Sequence, residues 1–169
     1  MGTRRLILLR HGQAQPETPG RADFDRVLTE RGKREVGSAG RLLVARGFIP
    51  DCLLASPAAR TQATATLVAE CCGLDPRDIV WLPELYVAGP EAVWALLGAR
   101  DASRHCVLIC GHNPTLSQLA SRLGAPARRR DLPTAGFATG IWDAAVDWSR
   151  ALPEGAQDCG FAAPGEAGP

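Results

Sequence analysis

Arg10, His11 and Gly12 follow directly after four consecutive large apolar residues, Leu6 to Leu9. An apolar run of this length, ended by polar residues and glycine, predicts a strand buried on both faces of a parallel sheet. Ligands of open α/β sheets bind outside the carboxyl ends of the strands. An arginine there offers a planar fork to a phosphate, and a neutral histidine offers a nucleophile near pH 7. The tripeptide predicts phosphate chemistry, although alone it also fits a solvated strand end.

Arg60 is the second candidate for that chemistry. Cys52 to Ala55 predicts another buried strand, and Ser56-Pro57 predicts an N-cap and first helical position, with the helix running to Cys72. Arg60 falls in the first turn, where side chains lean toward the helix N-terminus and free N–H groups favour an anion. We therefore expect its guanidinium to point over the strand ends.

Two more strands are each followed by polar residues. Ile79 to Leu82 predicts a third strand with Glu84 close behind it, and Cys106 to Cys110 predicts a fourth. Gly111, His112, Asn113 and Pro114 follow the fourth strand. A glycine, a polar pair and a proline at a helix start indicate a helix N-terminus that faces a ligand. Because parallel strands share one carboxyl rim, we expect these side chains to converge on one crevice.

The order of elements predicts an α/β fold with three layers, in which a doubly wound, mostly parallel sheet has helices on both faces. Helices are predicted over 29–46, 56–72, 90–97 and 115–123. A fifth strand, 136–142, is expected at a sheet edge. Residues 1–150 are predicted to form one domain, and residues 151–169, rich in Ala, Gly and Pro, a tail that carries little core.

Composition limits the classes of function. The formal net charge is +1 over 169 residues, so the global charge indicates neither nucleic acid nor an anionic membrane as a partner. No run of apolar residues approaches the length of a membrane span or a signal-peptide core. The six cysteines include no Cys-x-x-Cys pair, which predicts buried thiols in a reducing cytoplasm and no metal site. We expect a cytoplasmic protein without a cofactor.

Two other phosphate chemistries have little support. Asp23-Phe-Asp25-Arg-Val superficially matches the motif of aspartate-nucleophile phosphatases, but that motif must follow a buried strand and here a Pro- and Gly-containing loop precedes it. The phosphate loop Gly-x-x-x-x-Gly-Lys-Ser/Thr is absent from the sequence, so nucleotide hydrolysis on such a loop is not expected.

The ordered motifs LLRHG, SPAARTQATA, LPEL and CGHNP, which span roughly residues 4–145, resemble those of the histidine phosphatase superfamily that includes cofactor-dependent phosphoglycerate mutases. The short spacing, with LTERG between the first two motifs, looks most like the phosphohistidine phosphatase branch typified by SixA. The resemblance implies that His11 is the nucleophile and that Arg10, Arg60 and His112 grip the phosphoryl oxygens. Gly12 and Asn113 are expected to help in binding the phosphate.

The physical chemistry agrees with this assignment. The transition state of phosphoryl transfer spreads charge over the equatorial oxygens, so positioning and positive charge supply most of the catalysis. Nearby cations are expected to lower the pKa of His11 and leave it a lone pair for attack. Covalent transfer to His11 then divides hydrolysis into two easier steps.

Glu84 occupies the position where larger relatives carry an acid that protonates the leaving group. A phosphohistidine substrate leaves as an imidazole and needs less help, so Glu84 is only a possible acid or base. Gln13 stands where many members have a carboxylate. Between Leu85 and His105 there is room for one short helix, but not for the helical lid that larger members place over small substrates.

These features lead to three hypotheses. The first is a metal-independent phosphatase that acts on phosphohistidine of a partner protein, with inorganic phosphate as product. The second is a broad phosphomonoesterase that acts on small phosphate esters, and the third is an inactive phosphate-binding module. Mutase action is not expected because it needs a closed site. The basic run Arg128–Arg130 is read as a solvated surface, with a docking patch for an acidic partner as the alternative.

Overall fold

The computed structural model describes residues 2–99, 103–123, 131–149, 151 and 153–165. Arg128–Arg130 lie outside these residues. The strands of the described part are β1 (Thr3–Arg10), β2 (Cys52–Ala55), β3 (Val80–Trp81), β4 (Cys106–Gly111), β5 (Phe137–Asp143) and β6 (Asp158–Ala162). Its α-helices are α1 (Glu30–Ala45), α2 (Ala59–Cys71), α3 (Pro90–Gly98) and α4 (Thr115–Leu123).

The strands form one sheet in the order β3-β2-β4-β1-β5-β6. The first four in this order are parallel, whereas β5 and β6 are antiparallel to their neighbours. In the register, Arg10 of β1 pairs with Gly111 of β4, and Ala55 of β2 pairs with Cys110. The carboxyl ends of β1, β2 and β4 therefore meet at one rim, as the sequence predicted.

Helices cover both faces of the sheet, which confirms the three-layer α/β architecture. On one face, α1 and α2 bury Val36, Leu43 and Val68 against alternate residues of β1 and β4. On the other face, α3 and α4 pack against the opposite set of strand residues, with Leu97 and Leu119 fully buried. The period-2 alternation of the strands explains how one continuous apolar run supplies both cores.

The helix starts follow the sequence only in part. Thr29 caps α1, because its hydroxyl accepts a hydrogen bond from the N–H of Gly32 at 2.9 Å. The expectation that Ser56 and Pro57 begin the second helix is wrong, since α2 begins at Ala59 and its N-cap, Ala58, makes no side-chain bond. The Ser56 hydroxyl contacts His112 instead.

The expectation of an edge strand over 136–142 is wrong, because β5 lies between β1 and β6. Residues 158–162, placed in a tail with little core, form β6 and pair with β5 from Phe137 to Ile141. Ala162 is buried in the same core as α1. The segment contains few large apolar residues, so its sequence pattern does not indicate a strand. No helix among the described residues has the length and apolar character needed to span a membrane.

Candidate active site

His11 follows β1 at the rim and is only 8% exposed. One ring nitrogen, Nδ1, lies 2.8 Å from the carbonyl oxygen of Gly12, and Nε2 lies 3.3 Å from Nε of Arg60. Because a guanidinium only donates and a carbonyl only accepts, Nδ1 carries the proton and Nε2 has the free lone pair. The structure therefore presents His11 as a neutral imidazole with its Nε2 lone pair directed at an arginine.

The electrostatic surroundings favour this neutral form. Burial, assisted by the charges of Arg60, Arg10 and Arg26, lowers the pKa of His11 to about 4, although its bond to the Gly12 carbonyl opposes the shift. Burial is therefore a larger cause of the lowered pKa than the cations that the sequence predicted. At neutral pH, His11 is available as a nucleophile without first losing a proton.

The backbone beneath His11 is packed too closely for any residue except glycine. A Cβ at Gly12 would lie 2.6 Å from Cγ2 of Val36 and 3.0 Å from the carbonyl oxygen of Gly32. The N–H of Gly12 donates to the Thr64 hydroxyl at 3.0 Å. The turn after β1 is thus fixed against α1 and α2, and its geometry sets the direction of the His11 ring.

Arg60, the second residue of α2, is 5% exposed and reaches over the strand ends as predicted. Besides its contact with His11, its Nη2 lies 3.4 Å from Nδ1 of His112. One guanidinium therefore approaches both imidazoles. The two rings lie with their centroids 5.2 Å apart.

His112 follows β4 and is held through its other nitrogen. Nε2 lies 2.9 Å from the Ser56 hydroxyl and 3.3 Å from the Thr61 hydroxyl. Since Arg60 donates to Nδ1, the proton of the neutral ring is on Nε2. Burial, the proximity of the His11 ring and the charge of Arg60 lower the pKa of His112 to about 3.

Arg10 and Asn113 share an anchor that the sequence did not reveal. Nη1 of Arg10 and Nδ2 of Asn113 donate to the carbonyl oxygen of Leu132, at 2.8 and 3.0 Å. The Leu132 N–H in turn donates to the Ser117 hydroxyl. Nε of Arg10 and Oδ1 of Asn113 are buried with no hydrogen-bond partner among the described residues. Arg10 thus keeps an unused donor on a fixed guanidinium.

Asp23 and Tyr86 are site residues that the sequence analysis missed. The Asp23 carboxylate forms an ion pair with Nη2 of Arg60 at 2.8 Å, and the Tyr86 hydroxyl donates to the same oxygen at 2.8 Å. The Tyr86 ring packs edge-on against His112, with centroids 5.4 Å apart. The sequence signal at Asp23 is its match to the motif of aspartate-nucleophile phosphatases, which was rejected because no buried strand precedes it.

Glu84 does not contact the cluster formed by His11, Arg60 and His112. It lies in the 3-10 turn Pro83–Tyr86 and is exposed, and its carboxylate makes no hydrogen bond or ion pair with the part of the chain that the structure describes. Tyr86, from the same turn, packs against His112 instead. Gln13 also points away from the site, since its side-chain oxygen accepts a bond from the Thr29 hydroxyl at 2.9 Å. The role of Glu84 as an acid stays a prediction.

Cys71 and Arg77 have the six-residue separation that the phosphate loops of cysteine phosphatases use. Cys71 is the last residue of α2 rather than part of a loop. Arg77 is an exposed side chain that pairs with Asp75. The pair forms no phosphate site. Within the described ranges, no group of three or more His, Cys, Asp or Glu side chains could hold a metal ion.

Comparisons with known proteins agree with the cluster. The model of the histidine phosphatase superfamily (branch 1) matches residues 6–87, which include His11, Arg60 and Tyr86. The chain is 32% identical to a candidate phosphohistidine phosphatase SixA from Agrobacterium tumefaciens, with a TM-score of 0.78 over 96% of this chain and 99% of that one. The chain belongs to the histidine phosphatase superfamily. Within it, the chain belongs to the short, SixA-type branch.

Other relatives extend the comparison. A protein histidine phosphatase SixA in complex with tungstate is 25% identical, with a TM-score of 0.72 over 83% of this chain and 89% of that one. An uncharacterized Mycobacterium tuberculosis protein is 33% identical over 92% of this chain and 99% of its own length. The matched region spans 59% of an uncharacterized chloroplast protein of Arabidopsis thaliana and 33% of a phosphoglycerate mutase of Sphingopyxis alaskensis.

Proposed function

We propose that this protein is a metal-independent phosphatase that forms a covalent phosphohistidine on His11 and removes phosphate from phosphohistidine of a partner protein. The observation that carries the proposal is the neutral His11, whose Nε2 lies beside Arg60 and the His112 ring at the carboxyl rim of the sheet. The names of the SixA-type relatives support the same reading.

In the first step, Nε2 of His11 attacks the phosphorus and the bond between phosphorus and the substrate imidazole breaks. An imidazole that carries a proton on its other nitrogen leaves as a neutral molecule, so this step needs no acid. Phosphorylated His11 gains positive charge, and its Nδ1 keeps its proton, which is donated in a hydrogen bond to the Gly12 carbonyl oxygen 2.8 Å away. Arg60 and Arg10 offer N–H donors to the phosphoryl oxygens.

In the second step, water attacks the phosphorus and the bond to Nε2 breaks. The water proton stays with the products as inorganic phosphate leaves, and His11 returns to its neutral form. Because the pKa of His11 is lowered to about 4, the released ring stays unprotonated at neutral pH and is ready to attack the next substrate.

The packing of α3 on the sheet face supports a phosphorylated side chain on another protein as the substrate. The segment that could have formed a lid contains α3, which packs on the sheet face through Val93 and Leu97. A cavity of about 130 Å³ lies next to His112 and is lined in part by Tyr86, Val87 and Thr115. It is smaller than the roughly 300–1,000 Å³ typical of pockets that enclose small ligands.

Mutase activity and inactive binding are weaker alternatives. A mutase must shield its phosphoenzyme from water until the second substrate reacts, and α3, which packs on the sheet face, does not supply such a cover. A binding module needs no nucleophile, yet His11, Arg10, Arg60 and His112 are all present. We also propose a cytoplasmic location, since Cys71, Cys72, Cys106, Cys110 and Cys159 are all free thiols.

A substrate panel tests the proposal. Purified protein is given a phosphohistidine-containing phosphotransfer protein, sugar phosphates, nucleotides and 3-phosphoglycerate in the presence of EDTA, and kcat/KM is compared. The proposal predicts a clear preference for the phosphohistidine protein. A preference for small esters would identify a phosphomonoesterase, whereas isomerisation of the phosphoglycerate would identify a mutase. No turnover of any substrate would favour the binding module.

A further inference from the structure

Asp23 makes an unusually complete set of contacts for a loop carboxylate that is 38% exposed. Its Oδ2 accepts bonds from Nη2 of Arg60 and from the Tyr86 hydroxyl, both at 2.8 Å. Its Oδ1 accepts from Nη1 of Arg26 at 2.6 Å, and its backbone oxygen accepts from Nη1 of Arg60 at 2.6 Å. Asp23 thus binds Arg60 twice, through main chain and side chain.

These contacts divide the Arg60 guanidinium into two parts. The end formed by Nη1 and Nη2 is bound by Asp23, whereas Nε and the second N–H of Nη2 face His11 and His112. A guanidinium can serve two bidentate partners because it has five N–H donors in a rigid plane. The side that faces the imidazoles is the side that a phosphoryl group on His11 would meet.

The Arg60 side chain needs other residues to fix its orientation. It is long and rotamer-rich, and Arg10 and Arg26 add positive charge nearby, as their effects on His11 indicate. Although partial burial opposes ionisation, hydrogen bonds from Tyr86 and Arg60 hold the pKa of Asp23 at about 2, so the carboxylate stays charged at neutral pH. It offsets the charge of the arginines without titrating.

We propose that Asp23 is a positioning residue for Arg60: it fixes the Nη1/Nη2 end so that Nε and Nη2 are aimed at the phosphoryl oxygens on His11. Tyr86 orients the Asp23 carboxylate through its hydroxyl and packs its ring against His112. The inference rests on the proposed function, because it assigns Arg60 to the phosphoryl group. It adds a residue pair from two loops to the motifs that define the site.

The test compares Asp23→Asn with Asp25→Asn. Asp25 is in the same 3-10 turn, Asp23–Asp25, and is exposed, and its carboxylate makes no hydrogen bond or ion pair with the described residues, so the control removes the same charge. Vanadate serves as the probe, and its dissociation constant is measured by calorimetry for both variants and the wild type. Turnover of the phosphohistidine protein gives kcat and KM separately.

We expect Asp23→Asn to weaken vanadate binding about tenfold, as expected for losing one charge-assisted hydrogen bond. It should lower kcat on the order of 100-fold, with a small change in KM, because misplacement of a positioned group acts mainly in the transition state. Asp25→Asn should match the wild type in both. Unchanged or tighter vanadate binding by Asp23→Asn would overturn the inference, and tighter binding would show that the carboxylate competes with the oxyanion.

Two further outcomes are an Asp23→Asn variant that does not fold and a wild type without phosphatase activity. If Asp23→Asn loses its cooperative unfolding transition, Tyr86→Phe decides instead: weaker vanadate binding supports the inference, and unchanged binding overturns it. If the wild type has no phosphatase activity, the proposed function fails. Vanadate binding still decides on Asp23 in that case, since it measures the position of Arg60 without turnover.

Discussion

Nε of Arg60 donates a hydrogen bond to Nε2 of His11 across 3.3 Å, so the candidate nucleophile and the candidate phosphate ligand are in direct contact. The donor identifies Nε2 as the unprotonated nitrogen. When a bond between phosphorus and Nε2 forms, the same N–H can pass from the nitrogen lone pair to a phosphoryl oxygen. The resting contact therefore places Arg60 where the charge of the transition state develops.

Neutral His11 leads to a prediction about pH. Burial lowers its pKa to about 4, so the NMR shift of its ring Cε1–H should stay constant from pH 8 to pH 5.5 in phosphate-free buffer. The signal is assigned by its loss in His11→Asn. A titration midpoint for His11 near 6.5, the value of an unperturbed histidine, would contradict the account.

The lowered pKa of His11 also makes the free energy of unfolding depend on pH. Between pH 6.5 and pH 4 the unfolded state binds a proton at this position and the folded state does not. The free energy of unfolding should therefore fall as pH decreases through this window, by up to about 1.4 kcal/mol per pH unit for one proton. In urea unfolding, the free energy of unfolding of His11→Asn should fall less between pH 6.5 and pH 4 than that of the wild type.

Close packing at Gly12 predicts a loss of both stability and activity in Gly12→Ala. The new Cβ would meet Cγ2 of Val36 at 2.6 Å and the backbone oxygen of Gly32 at 3.0 Å. We expect a destabilisation of about 1–3 kcal/mol, typical of overpacking, and a larger fractional loss of kcat because the turn carries His11. Gly89→Ala is the control, since no heavy atom lies within 4 Å of its added Cβ. Equal stability of the two variants would refute this explanation.

Glu84→Gln tests whether the exposed carboxylate has a catalytic role. An imidazole that leaves neutral needs no proton, whereas an alkoxide does, so the substitution should slow hydrolysis of a small ester more than that of phosphohistidine. General acid catalysis typically contributes about 10²–10⁴-fold, which sets the scale of the loss for esters. The kcat ratio of variant to wild type is measured for both substrates. Equal ratios would show that Glu84 does not act as the acid.

The central strands and three site motifs could be predicted because each is determined by a short, continuous stretch of sequence. Buried parallel strands are apolar throughout, and the residues that follow them lie at a common rim whatever their separation in the chain. Arg10, His11 and His112 were predicted in this way, and the place of Arg60 followed from side-chain direction in a helix.

The remaining features depend on tertiary contacts. Asp23 meets Arg60 only because the loop after β1 folds back over α2, and Leu132 anchors Arg10 through a backbone carbonyl, which any residue could supply. Strand β6 forms because β5 offers it a free edge, not because its own sequence is strongly apolar. Ser56 was assigned to a helix cap by its position before proline, whereas its hydroxyl binds His112.

The most direct test of the covalent mechanism is to trap the phosphoenzyme. Wild type, His11→Ala and His105→Ala are mixed with a ³²P-labelled phosphohistidine protein, quenched within one turnover and separated from the donor under alkaline conditions. The account predicts label on the wild type and on His105→Ala, stable to base and labile to acid, and none on His11→Ala. Turnover by His11→Ala at the rate of the wild type, or label on a residue other than His11, would contradict it.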